Sequence, residues 1–326
     1  MEIIVEIIVE IIVEIIGEII VEIIGEIIVE TLDTKSRGEM KRLLISPTTF
    51  EVLAIQDKQN PYIDIHHTFD KNKVAAQHAA LVKALQKGTG IVYTLPSTKI
   101  PLPDIVFTAN GGLSLPRLPR PLVLLPNMKW PQRQAELPFL REMYRGLGID
   151  TIPFPTRQPF EGQAELKWFD GGRKAVGAYG FRSTRQAFRD LETLFRTLYA
   201  DEAPSMLVLP LQSADYYHLD VAMLEYGQGP NKCIVHRGAF SPASIKRLEA
   251  FLGAENVTVI DTTDSFCLNA YVDGPHLITH KITDPKVKRL LEQKTGLHLV
   301  EVDTSEFEKS GGSVRCMTLD IHNDNA

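Results

Sequence analysis

Four stretches of this 326-residue chain carry side chains that could do chemistry. Tyr217-His218-Leu219-Asp220 opens a run, Tyr217 to Glu225, that reads as a strand. His218 and Asp220 are two apart, so both would leave one face. The run is otherwise apolar, and two titratable groups on a buried strand need partners or a ligand. A surface pair on an edge strand is the alternative. Gly311-Gly312-Ser313-Val314-Arg315-Cys316 sets a cysteine after a glycine turn, where backbone can approach a ligand closely. Beside an imidazole such a thiol can ionise to a strong nucleophile; an inert buried cysteine is the commoner fate. Pro159-Phe160-Glu161-Gly162 places a carboxylate before glycine at a strand entry. Asp104-Ile105-Val106-Phe107-Thr108-Ala109-Asn110 ends a short strand, Asp104 to Thr108, in a polar turn. Ordinary turns explain either of these alone. Cys233 and Cys267 lie in apolar runs and read as core.

The frame around these residues is α/β. Helices are predicted at Lys73 to Gln86, Gln132 to Gly146, Thr184 to Tyr199, Pro242 to Leu252 and Pro285 to Lys294. Asp170-Gly171-Gly172 between two apolar runs signals a hairpin. A further strand is predicted at Ser313 to Leu319. Two or three short strands separate each helix from the next, unlike the one-to-one alternation of a doubly wound sheet. The pattern predicts repeated strand–strand–helix–strand units. No glycine-rich phosphate loop follows any strand, so no nucleotide cofactor is indicated.

Composition excludes several classes. Hydrophobic residues make up 44% and charged residues 23%, the balance of a globular protein rather than a disordered one. The first thirty residues hold eight Glu and no Lys or Arg. Removing those eight from the 41 acids leaves 33 against 35 bases. No dense basic patch marks a nucleic-acid partner. The three widely spaced cysteines rule against a disulfide framework or structural zinc and favour a reducing, cytoplasmic setting.

Residues 2 to 30 repeat Glu-Ile-Ile-Val. This segment lacks the basic start and small-residue cleavage site of a signal peptide, and its regular Glu residues oppose a membrane span. A helix would wind the Glu stripe round the cylinder, because four residues outrun the 3.6-residue turn. A strand would keep one face wholly apolar, and the β-branched content favours it. The segment reads as a low-complexity extension, residues 1–38, with no part in the chemistry; self-association is the alternative.

Taken in order, Asp104…Phe107-Thr108-Ala109-Asn110, Phe160-Glu161-Gly162, Gly180-Phe181-Arg182-Ser183, His218-Leu219-Asp220 and Gly311-Gly312-Ser313-Val314-Arg315-Cys316 resemble the guanidine-modifying (amidinotransferase, or pentein) superfamily. Within it the chain is most similar to dimethylargininase-type hydrolases, over about residues 40 to 320. The resemblance implies a single catalytic domain, 39–326, folded as a five-bladed α/β propeller with pseudo-fivefold symmetry. It implies Cys316 as nucleophile and His218 as general acid and base. Glu161 and Asp220 would face the guanidinium. Asp104, Arg133 and Arg182 would grip the amino and carboxylate ends of a small guanidino substrate, with Phe107 and Asn110 beside it. It implies no metal and no cofactor.

The sequence departs from that pattern at Ala109-Asn110, where dimethylargininases carry acidic residues and arginine deiminases an aspartate. A neutral amide removes one charge and suits a neutral ureido group. Relatives that hydrolyse arginine or citrulline further carry asparagine in this region. The resemblance implies dimethylarginine to citrulline and dimethylamine as the expected reaction, while Asn110 favours arginine dihydrolase or citrulline hydrolase. Arginine deiminase, arginine dihydrolase or citrulline hydrolase, and amidinotransferase are rivals in the same superfamily, and a non-enzymatic assembly protein is the rival from another class.

Overall fold

A computed structural model describes residues 41–51, 59–64, 66, 68–88, 90–97, 100–227 and 231–322. The Glu-Ile-Ile-Val extension lies outside the described residues. Strand β1 (Lys41–Ile45) runs parallel to β2 (Ile91–Leu95). Strands β3 (Leu113–Ser114), β4 (Leu122–Leu124) and β5 (Asp150–Ile152) form a second sheet. Strands β6 (Leu166–Phe169), β7 (Lys174–Tyr179) and β8 (Ser205–Pro210) form a third. Strands β9 (Met223–Tyr226), β10 (Lys232–His236) and β11 (Val257–Ile260) form a fourth. Strands β12 (Tyr271–Asp273), β13 (His276–His280) and β14 (His298–Val302) form a fifth. The last strand, β15 (Leu319–Ile321), returns antiparallel to β1 and completes the first sheet.

Every sheet has one topology: an antiparallel pair, then a parallel third strand. A parallel neighbour needs a crossover, and a helix supplies it each time. These are α1 (Lys71–Leu85), the pair α2 (Pro131–Gln134) and α3 (Leu137–Gly146), α4 (Arg185–Tyr199), and, after the one-turn α5 (Leu219–Ala222), α6 (Pro242–Leu252) and α7 (Pro285–Thr295). Asp70, Thr184, Ser241 and Asp284 cap α1, α4, α6 and α7 by accepting from backbone N–H groups that lack an intrahelical partner. Helix α4 shows how they dock: Ala187, Phe188, Leu191 and Phe195 fall on one face and are buried. Each large apolar side chain buried there contributes about 1.5–3 kcal/mol.

The predicted unit of strand, strand, helix, strand is thus observed. Each sheet is open, and none closes on itself among the described residues. The apolar clusters lie between successive units. Leu43 and Val123 share one cluster, Leu124 and Ala175 another, Val176 and Val235 a third, Ile234 and Leu277 a fourth, and Ile278 and Leu44 a fifth. Among the described residues no helix is long and apolar enough to cross a membrane.

Four local expectations are corrected. Asp104 to Thr108 is not a strand; 3-10 turns span Pro103–Val106 and Thr108–Gly111, with Pro103 fixing the first helical φ. Tyr217 to Glu225 is not one strand, since α5 occupies its centre and pairing starts only at Met223. Ser313 to Leu319 is mostly helical turn, closed by bonds such as Met317 N–H to Ser313 O at 3.2 Å. The expected helix over 132–146 is split into α2 and α3, with Pro138 in the first turn of the second.

Candidate active site

Five turns bring the candidate groups together. Asn110 precedes β3, Glu161 and Glu165 precede β6, and His218 and Asp220 precede β9. Asn269 precedes β12, and Cys316 precedes β15. Each lies on a tight turn just before the antiparallel edge strand of its sheet. A turn directs neighbouring polar groups into one small volume, whereas a strand would send alternate ones to opposite faces.

Cys316 is 3% exposed, and its thiol donates to Asp220 Oδ2 at 3.4 Å. The sulfur also accepts from Asn269 Nδ2 at 3.1 Å. Burial, and then the Asp220 charge, push the thiol far above its ordinary value, so the resting sulfur carries its proton. The close approach of this loop depends on glycine. A Cβ on Gly312 would fall 2.2 Å from the Phe107 ring, and Gly311 has φ +92° against the Asn60 side chain.

His218 Nε2 lies 2.8 Å from Glu161 Oε2. The same carboxylate accepts from Arg182 Nη1 at 2.9 Å and, through Oε1, from Lys129 N–H at 3.1 Å. Burial alone would raise Glu161, but Arg182 and then His218 outweigh it and hold the carboxyl well below its usual range. Burial lowers His218 despite that neighbour, so a neutral imidazole donates its Nε2 proton to a carboxylate. Glu165 lies 3.9 Å from His218 Nε2. Burial, and then the Glu161 charge, raise it well above the ordinary value.

Arg133 is anchored by Glu136 and Asn110, with one Nη1 hydrogen left for a ligand. Its Nε and Nη2 donate to Glu136 at 2.7 and 2.9 Å, and its Nη1 donates to Asn110 Oδ1 at 2.8 Å. That contact orients the Asn110 amide with its NH2 toward Glu161 O and the His218 ring, each 3.4 Å away. Asp104 is buried and accepts from Gln59 Nε2 at 3.4 Å. Arg182 also donates through Nε to Gln59 O at 3.2 Å and lies 4.8 Å from the Tyr217 ring centroid. Asn60 Nδ2 donates to Ser310 O at 3.0 Å. Gln59 and Asn60 thereby line the pocket with Asp104, Phe107, Asn110, Arg133, Arg182, His218 and Cys316. Its free volume is about 10 Å³, room for about one water.

Every residue singled out from the sequence for this site is therefore found together. Cys316, His218, Asp104, Asn110, Phe107, Arg133 and Arg182 line the pocket, and Glu161 and Asp220 bond to its reactive groups. Sequence reasoning missed Asn269, Glu136, Glu165 and Gln59. Cys233 and Cys267 are buried; Cys267 Sγ lies 3.7 Å from His236 Nε2, outside this pocket.

Comparison with known proteins gives the context. The chain is 28% identical over 287 residues to an N(G),N(G)-dimethylarginine dimethylaminohydrolase of Mycobacterium tuberculosis, covering 86% of each protein. It is 27% identical over 267 residues to the bifunctional arginine dihydrolase/ornithine cyclodeaminase AgrE of a Nostoc species. The chain is homologous to these enzymes. The AgrE match spans 80% of this chain but 35% of that longer relative. The N-terminal domain of ArgZ, a cyanobacterial arginine dihydrolase solved with its substrate, superposes with a TM-score of 0.75 at 23% identity. That match covers 87% of this chain and 98% of that one, and at such identity it carries the fold alone. No family model matches the chain.

Proposed function

We propose that this chain is a hydrolase of arginine-like guanidines working through a covalent Cys316 thiouronium. In this reading residues 39–326 form one catalytic domain. Its five units are the blades of an α/β propeller with pseudo-fivefold symmetry, a ring supported by the apolar clusters that join each unit to the next. The observation that carries the function is the shared pocket: a thiol 3.4 Å from Asp220 and an imidazole 2.8 Å from Glu161, both shut away from bulk water.

A guanidinium is a planar cation with a fork of N–H donors, matched by carboxylates on its edges. Glu161 and Asp220 take those edges, Asp104 the substrate amino group, and Arg182 with Arg133 the carboxylate. Binding a cation beside Asp220 offsets the charge that keeps the sulfur protonated. The thiol proton passes to His218, and Sγ bonds to the guanidinium carbon. The C–N bond to the amine breaks as the imidazolium proton leaves with it. Water then gives a proton to the same imidazole while its oxygen bonds to the carbon. The S–C bond breaks last as the imidazolium proton returns to the sulfur and the hydroxyl proton passes through solvent to the released amine.

Dimethylarginine, giving citrulline and dimethylamine, is the first substrate choice, supported by homology over most of both chains. Asn110 supports arginine dihydrolysis as the second reading. Its amide presents NH2 rather than an acceptor to the pocket, and a donor suits a ureido oxygen. Purified protein incubated separately with dimethylarginine, arginine and citrulline decides the matter. Dimethylamine release supports the first choice, and ornithine from arginine the second. Deleting residues 1–30 should leave turnover unchanged; its loss would favour an assembly role for the repeat.

A further inference from the structure

We infer that Asn269 is a catalytic residue whose side-chain amide donates to Cys316 Sγ and stabilises the thiolate. The inference rests on the reading of Cys316 as nucleophile and adds a group that the superfamily resemblance did not supply. Asn269 is wholly buried, and all four hydrogen-bonding places of its side chain are filled. Oδ1 accepts from Arg315 N–H at 3.0 Å and from Cys316 N–H at 3.2 Å. Nδ2 donates to Asp220 O at 3.1 Å and to Cys316 Sγ at 3.1 Å.

This set fixes the amide in one orientation. Two backbone N–H groups can only donate, and the Asp220 carbonyl can only accept. A flipped amide would point NH2 at two donors and its oxygen at a carbonyl. A donor therefore faces the sulfur. The two N–H bonds received at Oδ1 also polarise the amide and strengthen Nδ2 as a donor.

The sulfur needs such a group. Its other hydrogen-bonding neighbour is the Asp220 carboxylate, which favours the thiol over the thiolate. A fixed donor aimed at developing negative charge needs no reorganisation when the charge appears. The position also completes a pattern: of the five turns that lead into the antiparallel edge strand of each sheet, four place Asn110, Glu161 with Glu165, His218 with Asp220, and Cys316 at the pocket. The turn before β12 places Asn269 on the nucleophile.

The test compares Asn269→Ala and Asn269→Asp with the unmodified protein. Asn269→Asp keeps Oδ1 for both backbone N–H groups and turns the donor at the sulfur into an acceptor. The pH dependence of Cys316 alkylation by iodoacetamide, followed by peptide mass, reads the thiolate directly and needs no substrate. The alkaline rise should move up by about one pH unit or more in both variants. With substrate, kcat should fall about 10²-fold or more, with a much smaller change in KM. An unmoved alkylation profile in a folded variant overturns the assignment. Should neither variant fold, the Asn269 side-chain 15N–1H resonance of the unmodified protein must shift as Cys316 ionises; a resonance that stays put overturns it equally. If Cys316→Ala protein still turns over, it is the nucleophile reading that fails. An unmoved profile in protein whose turnover requires Cys316 sinks only the role of Asn269.

Discussion

Glu161 Oε2 is shared: it lies 2.8 Å from His218 Nε2 and 2.9 Å from Arg182 Nη1, so one carboxylate orients the imidazole while an arginine keeps that carboxylate ionised. Glu161→Gln keeps the shape and removes the charge. An amide can still hydrogen-bond the ring but cannot stabilise an imidazolium. Turnover should fall about 10²-fold or more, the usual scale of acid–base assistance. Because the folded-state carboxyl is held below its ordinary value, its contribution to stability is present above the unfolded value of 4.5. It is lost as pH falls below that. Urea midpoints between pH 6 and pH 3 should therefore drop less steeply in Glu161→Gln than in the unmodified protein.

Replacing the nucleophile should separate chemistry from folding. Cys316→Ala removes one sulfur in a pocket with little free space, and the fold should survive with a modest loss of stability. Turnover should vanish. Cys233→Ala and Cys267→Ala remove buried sulfurs outside the pocket, at a cost of about 1–2 kcal/mol, and should keep most of the activity. Full activity in Cys316→Ala protein would end the covalent mechanism.

Much of this arrangement is legible in the sequence because its signals are local. Ser241 followed by Pro242 starts a helix, and Asp170-Gly171-Gly172 turns a hairpin; both are found at those positions. Cys316 and His218 stand out because thiol and imidazole chemistry is scarce and each sits in a distinctive short motif. Asn269 does not stand out. It follows Cys267-Leu268 with no glycine turn and no titratable neighbour, and its importance comes from partners 46 to 49 residues away. Glu136 looks like any exposed helical acid until Arg133 is seen to reach it at depth. The helical turns at 103–111, 219–222 and 314–317 are misread as strands because their apolar content matches that of buried strands, and periodicity cannot separate such short runs.

The Arg133–Glu136 pair is buried on both sides, with side-chain exposures of 4% and 2%. Removing one member leaves an uncompensated charge where water cannot reach it. Glu136→Ala should cost about 3–5 kcal/mol, read from urea unfolding. It should also free the guanidinium to rotate, releasing the Asn110 amide. KM should rise together with the fall in stability, whereas a conservative Glu136→Gln should recover part of both. A Glu136→Ala protein as stable as the parent would show that water enters this corner and that the pair is worth little.

His280 should give the molecule a stability change in the alkaline range. Its Nδ1 meets Glu308 Oε1 at 3.1 Å and its Nε2 meets Asp264 at 3.0 Å. These two acids lie on the segments leading to Cys316 and to Asn269, so the imidazole clasps both strands of chain that position the sulfur. Burial opposes protonation, but the two carboxylates outweigh it and raise the imidazole to about 9. A group whose folded-state value exceeds its unfolded value of 6.5 stabilises fully below 6.5 and loses that contribution as pH climbs through 9. The shift corresponds to roughly 3 kcal/mol. Unfolding midpoints should accordingly decline between pH 6.5 and pH 9.5. In His280→Gln they should start lower and stay nearly level across the same range, because the amide donates only through its NH2 and has no titrating proton. A decline of equal size in the variant would assign the alkaline loss to other groups.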